Sequence, residues 1–295
     1  MSLQALVVVV DGVSLAVRRD GRGPPVVCLG AVGHDSDDFD GLVERLNGRC
    51  EIVRHDWPGH GQSGPDSHPA SAARYADLLG PALDALAVDR PILIGNSIGG
   101  AAALILASRR PVAGVVLCDS GGLVPVNAFT RALCAVFAGF FRAGASGAGW
   151  YDAAFALYYR MVLPAPAAER RRREIIANGR RLAPILAEAW DSFGRPDADL
   201  RDLAAGLDPP IWVAWARRDR VIPLALCRPA IRAMRNASLS RFDGGHSPFL
   251  EDPDAFAAGF SDFLDRLGVS PSPSPGPGPS TSRPSPARSP APTAA

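Results

Sequence analysis

This chain contains no lysine, and the 31 residues counted as lysine or arginine are all arginine. Without an ε-amino group the sequence excludes a Schiff-base enzyme and a phosphate-binding P-loop, both of which need a lysine. The chain also has no large excess of positive or negative charge, since 30 acidic residues balance the 31 arginines to a net charge of +1. A chain this close to neutral gives no electrostatic reason to expect a nucleic acid or an anionic membrane as its partner.

Cysteines and long apolar runs are also scarce. The five cysteines are scattered and form no C-x-x-C pair, which indicates small buried thiols in a reducing compartment. The run Leu6 to Val10 is too short for a signal peptide and follows no basic segment, and we find no apolar window of about 18 residues. These absences predict a soluble cytoplasmic protein with no membrane partner, and no motif indicates a cofactor or a metal.

The apolar residues that are present alternate between two patterns. Two short β-type runs, Ala5 to Val10 and Val13 to Arg18, are joined by Asp11-Gly12, which is typical of a hairpin. Continuous apolar runs then alternate with helical spacing, which indicates strands buried on both faces. We therefore predict an α/β fold with a mostly parallel, doubly wound sheet and an N-terminal antiparallel hairpin. The parallel runs are Val26 to Leu29, Glu51 to Val53, Ile92 to Ile94, Val112 to Leu117, Ile211 to Ala216 and Ser238 to Phe242.

One long segment interrupts this alternation. From residue 122 to residue 207 the spacing is helical only, which predicts a helical lid inserted between two parts of the core, 1–121 and 208–268. At 47% hydrophobic residues, 295 residues are enough for one such core. The helical stretches of the lid are Ala128 to Phe141, Trp150 to Met161 and Ala167 to Trp190.

Two segments have an unusual composition. The lid contains four consecutive arginines between Glu169 and Glu174, which we interpret as a solvated helix face rather than a patch for an anionic substrate. Residues 269–295 are rich in Ser-Pro repeats and have almost no large apolar side chain. Such a segment cannot bury enough surface to order itself, so we predict a disordered tail.

The strongest motif is Gly95-Asn96-Ser97-Ile98-Gly99-Gly100, which lies between an apolar strand-like run and an apolar helix-like run. A G-x-S-x-G string at a sharp strand-to-helix turn lets the serine project above the sheet edge as a nucleophile. The first turn of the helix then offers free N–H groups to a developing oxyanion, and the N–H of Ile98 is the natural donor. Taken alone, the string also fits an ordinary tight turn.

A serine hydroxyl needs a base and a group that orients the base. Asp219 and His246 follow two successive predicted strands, so both lie at the sheet edge where α/β sites form. Taken singly, Asp219 also fits a helix N-cap or an arginine partner, and His246 a loop-capping histidine. In the chain order Ser, Asp, His they predict a catalytic triad with Ser97.

These segments together resemble the α/β-hydrolase-fold enzymes, in the esterase and lactonase-like branch, over residues 3–268. The stretch from Arg54 to Ser63 is similar to the family's D-x-P-G-x-G-x-S loop, in which His60 is expected to be structural rather than catalytic. The family's usual His-Gly pair before the second oxyanion donor is replaced here by Gly30-Ala31. The resemblance implies that the backbone N–H of Val32 is that donor.

Two side chains near these motifs have alternative interpretations. His34 lies two residues after Val32 and is interpreted as an exposed loop residue, with a position in the pocket as the alternative. Asp119 follows the strand before the lid, where some enzymes of this fold carry the acid of the triad. It is therefore the alternative to Asp219.

The resemblance implies a serine hydrolase that forms an acyl-enzyme on small, largely apolar carboxylic esters or lactones. Ser97 argues against the branches that need an aspartate nucleophile, the haloalkane dehalogenases and epoxide hydrolases. A C–C bond hydrolase of vinylogous diketones, a perhydrolase-like enzyme and a weakly catalytic receptor or scaffold remain alternatives. The apolar preference rests on the aromatic residues of the lid, most of which are also expected to pack within it: Phe137, Phe140, Phe141, Trp150, Tyr151, Phe155, Tyr158 and Tyr159.

Overall fold

The computed structural model describes residues 5–46 and 48–269, so the predicted tail, apart from Val269, lies outside the described residues. Within them the strands form one sheet in the order β1-β2-β4-β3-β5-β6-β7-β8. The pairs β1–β2 and β2–β4 are antiparallel, and the remaining neighbours are parallel. The strands are β1 Leu6–Val10, β2 Val13–Gly21, β3 Pro25–Leu29, β4 Glu51–His55, β5 Ile92–Asn96, β6 Gly114–Cys118, β7 Ile211–Ala216 and β8 Ala237–Phe242.

The side chains of the central strands alternate between two apolar layers. Val27 and Leu29 of β3 pack into one cluster, while Val26 and Cys28 pack into the other. This alternation follows from the period of two in a strand, and both faces are covered by helices. The predicted α/β fold is confirmed. The helices are α1 Asp40–Leu46, α2 Ala72–Ala85, α3 Ile98–Ala107, α4 Ala128–Ala145, α5 Tyr151–Val162, α6 Glu169–Ala177, α7 Gly179–Phe193, α8 Arg201–Ala205, α9 Leu224–Ala233, α10 Pro248–Glu251 and α11 Pro253–Arg266.

Between β6 and β7 the chain contains only the helices α4 to α8 and short 3-10 turns. The stretch predicted as one helical segment, Ala167 to Trp190, is two helices separated at Asn178. A Cβ atom at Gly179 would lie 2.4 Å from the ring of Phe155, so a glycine at the start of α7 lets α5 approach closely. The break falls at Asn178-Gly179, a residue pair that is itself typical of turns, so the prediction of one continuous helix was wrong. The boundaries of the lid as a domain remain a prediction.

Helix α4 is the most apolar surface element of the lid. Its 18 residues have a mean hydropathy of 1.2, so length and composition alone would allow it to cross a membrane, which the sequence reasoning did not recognise. In the structure α4 packs along α7 and buries Cys134, Ala138 and Phe141. Its other face leaves Phe129 and Val136 exposed. The cytoplasmic location stays a prediction.

Candidate active site

Ser97 lies at a strained turn between β5 and α3. Its backbone has φ +55° and ψ −118°, a left-handed region that a non-glycine residue adopts only under constraint. The constraint is the packing around the turn, since a Cβ at Gly95 would lie 2.4 Å from the carbonyl oxygen of Gly99. A Cβ at Gly99 would lie 2.3 Å from the carbonyl oxygen of Leu29. The turn therefore holds Ser97 at the carboxyl edge of the sheet.

His246 and Asp219 meet beside this turn. Asp219 follows β7 and His246 follows β8, and the Nδ1 atom of His246 lies 3.1 Å from the Oδ2 atom of Asp219. The other carboxylate oxygen of Asp219 accepts hydrogen bonds from the backbone N–H groups of Val221 and Ile222. These contacts order the turn after β7, but the residue that caps α9 is Pro223, so the alternative of Asp219 as a helix N-cap is wrong. Among the described residues Ser97 Oγ and His246 share no hydrogen bond, although both line the same cavity.

The loop of His246 is held by two polar side chains that sequence reasoning missed. Glu251 Oε2 accepts hydrogen bonds from the backbone N–H groups of Gly245, His246 and Ser247. Asn96 donates to the carbonyl of His246 and accepts from the hydroxyl of Ser247. The position of Asn96 next to Ser97 was the only signal that could have found it, and Glu251 offered none.

The segment Gly30 to Gly33 is anchored from the neighbouring glycine-rich loop. Trp57 Nε1 donates to the carbonyl of Gly30 at 2.8 Å, and the N–H of Gly33 donates to Nε2 of His60 at 2.8 Å. Since Nδ1 of His60 lies 2.9 Å from the carbonyl of Pro58, His60 is a neutral ring that donates on one side and accepts on the other. Burial lowers the pKa of His60 to about 4, which keeps it in this form. These contacts give His60 the structural role predicted for it.

Anchoring leaves two backbone donors free. Across residues 5–46 and 48–269, neither the N–H of Ile98 nor the N–H of Val32 donates a hydrogen bond, and the side chain of Ser97 does not cap α3. Both residues line the cavity that contains Ser97. Unpaired N–H groups at a helix start and on an adjacent loop are the elements of an oxyanion hole. The Gly30-Ala31 replacement therefore leaves the backbone donor of Val32 available.

Asp119 lies beside the His246–Asp219 pair and is completely buried. Its Oδ1 accepts from the N–H of Ala216 at 2.9 Å, while within the described chain its Oδ2 has no partner. Burial, reinforced by the negative charge of Asp219, raises the pKa of Asp119 well above its usual value. Ligand atoms of Asp119, Asp219 and His246 lie within 4.8 Å of one another, close enough to bind a metal ion. The His246–Asp219 hydrogen bond uses two of those atoms, so we interpret the group as acid–base machinery.

A cavity of about 1000 Å³ opens above Ser97 and His246. It lies between the sheet edge and the lid, and most of its walls are apolar. Of the lid aromatics named from sequence, only Tyr158 and Tyr159 line this cavity. The others pack within the lid, as Phe137 does on Trp190 with ring centroids 4.2 Å apart.

Comparison with known proteins identifies the family. Residues 26–259 match the model of the alpha/beta hydrolase family. The chain belongs to the alpha/beta hydrolase family. This confirms the resemblance recognised from sequence, and with it the prediction that the chain is a hydrolase.

The proteins to which this chain is similar include esterases and an enol-lactonase. A pimeloyl-[acyl-carrier protein] methyl ester esterase of Stenotrophomonas maltophilia is 30% identical, over 85% of this chain and 96% of its own. A thermophilic esterase from Thermogutta terrifontis superposes with a TM-score of 0.74 at 22% identity, covering 90% of this chain and 99% of its own. The enol-lactonase from Burkholderia xenovorans gives a TM-score of 0.71 at 24% identity, covering 88% and 100% respectively. These two structures support the fold.

The structure of this hydrolase corrects two interpretations of charged residues. His34, expected as an exposed loop residue, is only 3% exposed and lines the cavity. Its Nδ1 lies 2.6 Å from Oδ2 of Asp38. Arg171, expected on a solvated helix face, is 5% exposed and donates to Asp38 at 2.9 Å and to Asp35 at 2.6 Å. Both errors have one cause, because the contact between the lid and the segment after β3 buries these side chains.

Proposed function

We propose that this hydrolase cleaves small, largely apolar carboxylic esters or lactones through an acyl-enzyme on Ser97. The hydrogen bond between His246 and Asp219, beside a serine at a nucleophile elbow, carries the proposal. The names of the relatives support the substrate class, since they include a methyl ester esterase and an enol-lactonase. The apolar walls of the cavity above Ser97 support the preference for apolar acyl groups.

Each residue has a defined part in the proposed reaction. His246 takes the proton of Ser97 as its Oγ attacks the acyl carbon, which requires the two side chains to approach to about 3 Å when substrate binds. Asp219 holds the imidazole in one tautomer and stabilises the imidazolium. The N–H groups of Ile98 and Val32 stabilise the oxyanion, and His246 then protonates the leaving alcohol. Water releases the acyl group by the same steps in reverse.

Labelling with a fluorophosphonate probe, followed by peptide mapping, tests the nucleophile. We expect Ser97 to be labelled, and Ser97→Ala to lose labelling and at least about 10,000-fold in kcat on short p-nitrophenyl esters or simple lactones. Ser120→Ala is a matched control, because this buried serine lies beside the elbow and donates only to the carbonyl of Gly121. An unlabelled Ser97, together with no turnover of esters or lactones, would contradict the proposal.

A receptor or scaffold would give a different result in the same experiment. Ligand binding would survive Ser97→Ala, and the intact protein would show negligible turnover. A vinylogous diketone added to the panel separates the C–C bond hydrolase from the ester hydrolase, because only the former releases its product from that substrate. We expect turnover of esters or lactones and none of the diketone.

A further inference from the structure

A second histidine–aspartate pair, in addition to that of the proposed triad, adjoins the cavity, and its histidine, His34, belongs to the cavity lining. His34 and Asp38 are 3% and 2% exposed, and they are joined through Nδ1 and Oδ2 at 2.6 Å. Arg171 from α6 donates to the other oxygen of Asp38. Burial alone would raise the pKa of Asp38, but the charges and hydrogen bonds of His34 and Arg171 outweigh it and hold the pKa below its usual value. Asp38 is therefore a carboxylate that fixes the orientation of the ring.

The other nitrogen of His34 is unused. In the part of the chain that the structure describes, Nε2 of His34 has no hydrogen-bond partner, and the residue lines the cavity. Because Nδ1 is bonded to Asp38, Nε2 is the ring nitrogen left to contact a ligand in the cavity. A polar ring atom without a protein partner in a mostly apolar cavity can fix the orientation of a bound ligand.

A second unpaired polar group lies beside it. Tyr159 of α5 is 3% exposed, lines the same cavity, and makes no hydrogen bond through its hydroxyl to any described residue. Its ring centroid is 5.8 Å from that of His34, so the two side chains are neighbours in the wall of the cavity. Burial, with smaller contributions from Tyr158 and Asp38, raises the pKa of Tyr159 well above its usual value, so the phenol keeps its proton.

We propose that His34 and Tyr159 form a polar subsite that binds a hydroxyl group carried by the substrate. A hydroxyl can both donate and accept, so it can pair with Nε2 of His34 and with the phenol of Tyr159, whereas a ketone or ether oxygen can only accept. A carboxylate is disfavoured, because Asp35, Asp38 and Glu174 surround the single cation Arg171. The subsite deepens the proposed function and rests on it for the identity of the substrate as an ester or lactone.

Binding measurements on Ser97→Ala protein test the subsite without turnover. Methyl hexanoate and the isomeric methyl hydroxyhexanoates, each with one hydroxyl at a different chain position, are titrated by calorimetry. We expect at least one hydroxylated isomer to bind about tenfold more tightly than methyl hexanoate, as one net hydrogen bond of about 1.4 kcal/mol would give. Adding Tyr159→Phe or His34→Phe should reduce this ratio to about one.

Tyr151→Phe is the matched control. Tyr151 lies on the same helix, outside the cavity lining, and its hydroxyl faces the carbonyl of Gly179 at 3.5 Å, so the ratio should persist. If His34→Phe does not fold, Tyr159→Phe decides alone. The subsite would be overturned if the Ser97→Ala protein bound methyl hexanoate and all the methyl hydroxyhexanoates with equal affinity. It would also be overturned if the preference for a hydroxylated ester survived Tyr159→Phe. If the wild-type protein does not hydrolyse methyl hexanoate, while Ser97→Ala still binds a hydroxylated ester about tenfold more tightly, the proposed function is overturned and the subsite is not.

Discussion

Asp119 and Asp219 are two buried carboxyl groups in one small volume, and their hydrogen bonds differ. Asp219 receives three, from two backbone N–H groups and from His246, whereas Asp119 receives one from Ala216. Two carboxylates this close cannot both ionise cheaply, so the proton resides on the less solvated one. The raised pKa of Asp119 agrees with that assignment. We therefore expect Asp119 to keep its proton beside the His246–Asp219 pair.

Replacing each aspartate by asparagine separates the two roles. Asp219→Asn should lower kcat by about 1,000- to 10,000-fold, because the amide no longer stabilises the imidazolium in the required tautomer. Asp119→Asn should change kcat by less than about tenfold, since an amide resembles the protonated acid that it replaces. Steady-state kinetics on one ester measure both. If only Asp119→Asn lowers turnover, Asp119 is the acid of the triad and our assignment is wrong.

At the scale of elements, the turn between β5 and α3 depends on close approach of three backbone segments. A Cβ at Gly99 would lie 2.3 Å from the carbonyl of Leu29 on β3, a contact that only a backbone shift can relieve. That carbonyl immediately precedes the segment Gly30 to Gly33, which contains Val32, the proposed second oxyanion donor. Gly99 therefore couples the packing of the turn to the position of the Val32 N–H group.

A pair of glycine-to-alanine changes tests this coupling. Gly99→Ala should destabilise the fold by about 1–3 kcal/mol, as overpacking typically does, and should also lower kcat. Gly139→Ala on α4 is the control, because its added Cβ meets nothing within 4 Å. It should stabilise the protein by about 0.5–1 kcal/mol, since glycine is unfavourable inside a helix. Urea unfolding measures both free energies, and equal effects would contradict the packing argument.

The sequence predicted which segments are strands or helices more reliably than it predicted which of these segments contact one another. The hairpin and the parallel runs were recognised because their apolar patterns are local, and the sheet contains them as expected. The burial of Arg171 was missed because it depends on Asp38, a residue distant in sequence. The break between α6 and α7 was missed although the pair Asn178-Gly179 is a local turn signal. A run of four arginines has the composition of a solvated face. Only the docking of α6 on the segment after β3 makes one of them a buried partner.

For the whole molecule, buried neutral histidines predict how stability depends on pH. Burial lowers the pKa of His55 and of His60 to about 4, from an ordinary value of 6.5. Above pH 6.5 each of these two rings is neutral in both the folded and the unfolded protein, so their titration does not change the free energy of unfolding. Below it the unfolded chain takes up protons that the folded protein cannot, and the free energy of unfolding falls until about pH 4. The loss should be on the order of a few kcal/mol per histidine.

Urea unfolding between about pH 7 and about pH 4.5 measures this slope. His60→Gln should reduce it by roughly half, because glutamine does not titrate in this range and only His55 remains. His68→Gln is the control for the substitution itself, since the side chain of His68 is 59% exposed. A slope that is unchanged by His60→Gln would show that His60 is protonated in the folded protein.

The sequence by itself determined the order of strands and helices along the chain, the elbow around Ser97, and the order of Ser97, Asp219 and His246. These are readable because strand and helix periods are local and because the turn demands glycines at fixed spacing. Only the tertiary structure decided which side chains share a cavity. It brought Glu251 under the loop of His246 and placed His34 and Tyr159 at one wall, because burial and close packing depend on segments far apart in sequence.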